Sequence, residues 1–127
     1  MRLWHEALIS SLPRQQLLGQ HRELAALRGN GWGRSHATVN YIFEHSPYRL
    51  YQFHCLVMAE MRQRGYHPDP KWLDPCYRGQ HCPPYPEVVP VPMRHPIYPE
   101  HDHHYLTSCV TNLAQKGIQL ADVPSQP

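Results

Sequence analysis

The residues able to do chemistry lie near the start of the chain. They are the α-amine of Met1, followed by Arg2-Leu3-Trp4-His5, and the run Gln20-His21-Arg22-Glu23-Leu24 on a helical stretch downstream. An amine beside a carboxylate is the minimum equipment for Schiff-base chemistry on the aldehyde-level carbon of a sugar. An α-amine titrates at about 7.7–8.0, so an appreciable fraction is neutral near pH 7, whereas a surface lysine stays protonated. This is the physical reason to seek a nucleophile at the first residue; taken alone, Glu23 reads as a helix-surface carboxylate paired with Arg22 or Arg28. Arg2 opens a polar, broken stretch and not an apolar run with a small-residue cleavage site, so no leader is expected. A bulky second residue is expected to keep Met1 in place.

Those groups need helices to hold them. Ser11 to Leu27 reads as the first helix, with Ser10 or Ser11 as cap, Pro13 in the first turn, and Leu17, Leu18, Leu24, Ala25 and Leu27 on its apolar side. Gly29-Asn30-Gly31 ends it. Ser35 caps a shorter second helix with Val39, Ile42 and Phe43 inward. Ser46-Pro47 starts a third, running to Arg64 with Leu50, Phe53, Val57, Met58 and Met61 at helical spacing and Gly65 as its stop. Glu100 or Asp102 opens a last helix through Leu106, Cys109, Val110 and Leu113 to Gly117. Residues 68–99 hold ten of the fourteen prolines, so neither helix nor central strand persists there. Trp72, Tyr77, Tyr85 and Tyr98 are expected to pin this loop across the helices. Period-two alternation is nowhere sustained. The expectation is all-α: one compact domain over residues 1–120, about four helices with a long Pro-rich loop wrapped over them, and a disordered tail at 121–127.

Length supports one modest core. No run is long and apolar enough to span a bilayer. Twelve basic against ten acidic side chains leave a net charge of only +2, but the distribution is uneven. Arg2, Arg14, Arg22, Arg28 and Arg34 cluster early, opposed there only by Glu6 and Glu23, and arginine suits bidentate phosphate contacts. Cys55, Cys76, Cys82 and Cys109 have no framework spacing, so a reducing cytoplasm is the expected compartment.

The N-terminal Arg2-Leu3, then Gln15, Leu17 and His21-Arg22-Glu23-Leu24, then Gly33 and His36-Ala37-Thr38, then Met61-Arg62-Gln63-Arg64-Gly65-Tyr66 together resemble the pyrimidine-dimer DNA glycosylases, the small endonuclease V-like AP lyases of phage type. The resemblance covers roughly the first half of the chain. It implies a monomeric DNA repair enzyme, nucleoid-associated in the cytoplasm, without cofactor or obligatory protein partner, acting on damaged double-stranded DNA. It implies that Met1 stands at the position of the attacking amine and that Glu23 is the catalytic carboxylate. Arg2 and Arg22 are implied phosphate contacts, and Arg28 is set in place of a family arginine two residues earlier. His36 matches a family histidine that touches DNA or caps its turn. His21 stands where the family has tyrosine, Gln16 where it has histidine, and the aromatic C-terminal tail is missing, so the lesion is left open. Trp4, Trp32 and Tyr48 are candidate wedges at a flipped base, or simply packing.

Two other readings compete. Cys76, His81, Cys82, His95, His101, His103 and His104 are zinc-type ligands, although no Cys-x-x-Cys or His-x-x-x-His pair occurs. A non-catalytic nucleic-acid adaptor would keep the arginines without needing the amine.

Overall fold

The computed structural model describes residues 1–36 and 38–120. The expected tail at 121–127 and Ala37 of the His-x-Thr motif lie outside the described residues. Among the described residues all regular structure is helical: α1 (Arg14–Arg28), α2 (Pro47–Gln63) and α3 (His103–Gln115), with 3-10 turns at Glu6–Ser11, Asn40–Glu44 and Pro70–Leu73. The all-α expectation holds.

Two boundaries differ from the expectation. The first helix starts at Arg14, not Ser11, because proline disfavours α geometry in the residue before it: Leu12 is extended (ψ 137°) and Pro13 becomes the N-cap. Ser10 and Ser11 belong instead to the preceding 3-10 turn, capped by His5, whose Nδ1 accepts from the Ala7 amide at 3.0 Å. The second expected helix is only the turn Asn40–Glu44, although Val39 and Ile42 do face inward and are buried.

The third and fourth helices begin as read. Ser46 caps α2 through the Tyr48 amide, with Pro47 as its first residue. Asp102 caps α3, its Oδ1 accepting from the Tyr105 amide at 2.9 Å. Gly65 (φ 90°) adopts the left-handed conformation that ends α2, while the Tyr66 amide reaches back to the Met61 carbonyl at 2.9 Å. Arg64 then ties that end to the N-terminal turn, donating to the carbonyls of Leu12 (2.7 Å) and Ser10 (3.1 Å).

One core joins the three helices. Leu17, Leu24 and Leu27 of α1 meet Leu50, Phe53 and Val57 of α2, and Leu106, Cys109 and Leu113 of α3 close it. Leu3, Trp4, Leu8 and Leu12 from the N-terminal segment and Ile97 and Tyr98 from the Pro-rich segment belong to the same cluster. Both ends of the described chain are thereby packed together, which brings α3 to the first residues.

Candidate active site

The first four residues form an extended arm held by side chains from three places. The Met1 carbonyl accepts from the Thr38 hydroxyl. The Arg2 carbonyl accepts from Gln20 Nε2 at 3.0 Å, and the Trp4 amide donates to Gln20 Oε1 at 2.7 Å. The Leu3 carbonyl accepts from the Tyr105 hydroxyl. Three successive carbonyls are thus bonded to the loop before the Asn40–Glu44 turn, to α1 and to α3. An arm fixed at each peptide has little freedom left to lose when a substrate binds, so a group at its tip is pre-positioned.

The arm ends at a cavity of about 260 Å³ lined by Met1, Arg2, Trp4, Glu23, Thr38, Asn112 and Lys116. The structure therefore brings Met1, Arg2 and Glu23 together at one cavity. Glu23 is half-buried and accepts from Gln20 Nε2 at 3.2 Å. Burial raises its carboxyl above the usual carboxylate range. The positive charge of the terminal amine opposes this most strongly, followed by the Arg2 backbone and the charges of Arg22 and Lys116. A carboxylate made more basic by desolvation, yet ringed by cations, suits proton abstraction next to a developing positive charge.

The arginines divide. Arg2 lines the cavity, its guanidinium 5.6 Å from the Tyr105 ring centroid and 5.9 Å from that of Trp4, with Ser108 Oγ at 3.4 Å. Arg22 is exposed, and among the described residues its side chain makes no hydrogen bond to the protein. His36 is exposed, and its backbone amide is taken by Asn40 Oδ1 at 2.7 Å.

Arg28 departs from the expectation of a DNA-facing cation. It is 4% exposed. Its guanidinium donates to the carbonyls of Trp72 (2.8 Å), Asp74 (2.8 Å) and Tyr77 (3.3 Å) and to His54 Nδ1 (3.0 Å). It also lies over the rings of Trp72 and Tyr51. Burial lowers its pKa to about 10. Both terminal nitrogens are engaged, by His54 of α2 and by three carbonyls of the segment after it, and the buried side chain does not face a duplex.

Four residues of the site escaped sequence reading as site residues: Gln20, Tyr105, Asn112 and Lys116. Gln20 carried a legible signal. It interrupts the apolar stripe Leu17–Leu24–Leu27 at helical spacing, and a polar side chain there must find partners. It is 1% exposed and finds three. The α3 residues had no comparable signal, since only tertiary packing brings them to the arm. Of the three candidate wedges, Trp4 lines the cavity, Trp32 packs edge-on against Phe43 at 5.0 Å, and Tyr48 rests on Tyr51 at 5.2 Å.

A larger groove, about 690 Å³, runs between the Glu6–Ser11 turn and α2, lined among others by Glu6, Ile9, Leu56, Ala59 and His95. It lacks both the amine and Glu23, so the smaller cavity is the chemical one. Two of the residues weighed as zinc ligands have other surroundings: His101 is buried among aromatic rings, and His95 Nδ1 bonds Glu6 at 2.6 Å. Among the described residues no three His, Cys, Asp or Glu side chains converge as a metal site.

Comparison with curated proteins and with solved structures returns no match. The sequence profile of the pyrimidine dimer DNA glycosylases, however, matches residues 1–74, more than half the chain and the part that carries the arm, α1 and Thr38. With the amine and Glu23 sharing one cavity inside that matched region, the chain belongs to the pyrimidine dimer DNA glycosylase family, whose substrate is DNA and whose work is DNA repair.

Proposed function

We propose that this glycosylase is also an AP lyase, working through the α-amine of Met1 on damaged double-stranded DNA. The observation that carries the reading is the shared cavity of Met1 and Glu23, with the arm behind Met1 fixed carbonyl by carbonyl.

The neutral amine attacks C1′ of the damaged nucleotide. The N–C1′ bond forms as the glycosidic bond breaks, and the base leaves with that electron pair and takes up a proton. Nitrogen then loses a proton, and cleavage of C1′–O4′ with protonation of O4′ opens the ring to a protonated imine. Glu23 stabilises this cation and removes the acidified C2′ proton. The electrons of the C2′–H bond form a C2′–C3′ double bond, and the 3′ phosphate leaves. Water hydrolyses the unsaturated imine and restores the amine. Arg2 and Arg22 bind flanking phosphates, Arg2 inside the cavity and Arg22 from the exposed face of α1; His36 lies on the loop beside Thr38 and extends that contact. Arg28 is assigned no DNA contact.

The test separates the two steps. With abasic duplex, Glu23→Gln should still give a borohydride-trappable covalent adduct while strand cleavage falls by about a hundredfold or more. Unimpaired cleavage by Glu23→Gln would remove the carboxylate from the mechanism.

A further inference from the structure

His101 lies in the core at 1% exposure. Its Nδ1 accepts from the Glu6 amide at 3.1 Å, and a backbone amide only donates. The ring proton of the neutral imidazole is therefore on Nε2, which faces the Tyr41 hydroxyl at 2.7 Å. The Tyr41 ring meets that of Tyr105 edge-on, with centroids 6.4 Å apart. The Tyr105 hydroxyl itself donates to the Leu3 carbonyl. Behind it, His101 stacks on Tyr105 at 4.9 Å and 25°. Tyr105 also carries the Arg2 guanidinium over its face.

We propose that Tyr105 is a positioning residue for the terminal amine: its hydroxyl holds the Leu3 carbonyl and its ring, backed by His101, carries Arg2, which together fix the N-terminal arm against α3. The inference rests on the amine being the nucleophile. It makes the segment beyond residue 74, outside the family match, part of the active site. Tyr105 does not touch the reacting atoms. It sets where they start, by holding the backbone two residues from the amine and the Arg2 side chain with one phenol.

Tyr105→Phe removes one oxygen and keeps the ring. In single-turnover borohydride trapping on abasic duplex, imine formation should slow by about 5–50-fold, with the Kd for that duplex unchanged within about twofold. Trapping by Tyr105→Phe at the wild-type rate overturns the proposal. If the wild-type protein itself forms no imine, the amine reading fails on its own, and amide exchange at Trp4 then decides whether Tyr105 holds the arm. Faster exchange in Tyr105→Phe upholds it as a clamp on the arm, and unchanged exchange overturns it.

Discussion

Gln20 and Glu23 lie one turn apart on α1, and a single amide nitrogen joins them: Gln20 Nε2 donates to the Glu23 carboxylate at 3.2 Å and to the Arg2 carbonyl at 3.0 Å. The side chain that fixes the arm is thus the one that fixes the carboxylate. Gln20→Leu keeps the apolar volume but strands the Trp4 amide and the Arg2 carbonyl. Each buried orphan costs about 1–3 kcal/mol. The expected result, by thermal melting, is a destabilised but folded protein, and by gel assay a loss of cleavage larger than the loss of DNA affinity.

Glu23 trades stability for reactivity. Its folded-state pKa lies above the ordinary carboxylate value because burial disfavours the charge. The folded protein therefore binds this proton more readily than the unfolded chain, and the ionised carboxylate penalises folding once the pH is above both values. Glu23→Gln should melt higher than wild type at neutral pH, with the difference shrinking as the pH falls into the carboxylate range. Melting curves of both proteins between pH 3 and 8 check this.

The histidines give the opposite slope. Burial lowers His101 to about 3 and His54 to about 2, from an ordinary 6.5. Between 6.5 and those values the unfolded chain binds protons that the folded protein refuses, so stability falls with falling pH. Each group contributes at most about 1.4 kcal/mol per pH unit in that window. The protein should lose stability steadily from about pH 6 downward. Replacing His101 with Phe should flatten the slope even as it lowers stability at pH 7.

Arg22 and Arg28, six residues apart in sequence, should behave as different kinds of residue. Arg22→Gln should weaken binding to every duplex alike and reduce the salt dependence of log K by about 0.9 for each phosphate that is no longer neutralised. Its melting temperature should stay near wild type. Arg28→Met leaves three carbonyls without their donor and should cost about 3–5 kcal/mol of stability. The fraction that folds should keep the wild-type salt slope. Binding titrations at several salt concentrations, read beside melting curves, separate the two.

Much of this fold is legible in the chain itself. Caps and stops, Ser46-Pro47, Asp102, Gly65 and Gly117, act locally, so they can be read locally. The juxtaposition of Met1 with Glu23 is readable because the Arg2-Leu3 and Arg22-Glu23 signals belong to one recognisable pattern. Leu12 escapes such a reading because the conformational effect of Pro13 falls on its predecessor. Arg28 escapes it because arginine in a basic N-terminal region looks the same whether its partner is phosphate or three carbonyls more than forty residues away. Tyr105, Asn112 and Lys116 are invisible for a related reason: their role comes from where α3 docks, and their own spacing does not encode it.

The amine mechanism stands or falls most directly on the identity of the nitrogen that binds DNA. Wild-type protein is incubated with abasic duplex and borohydride, digested, and the cross-linked peptide sequenced by mass spectrometry. A single adduct on the α-amine of Met1, abolished when that amine is blocked, is the expected outcome. An adduct on Lys116, the other amine of the cavity, or trapping that survives the block, would refute Met1 as the nucleophile.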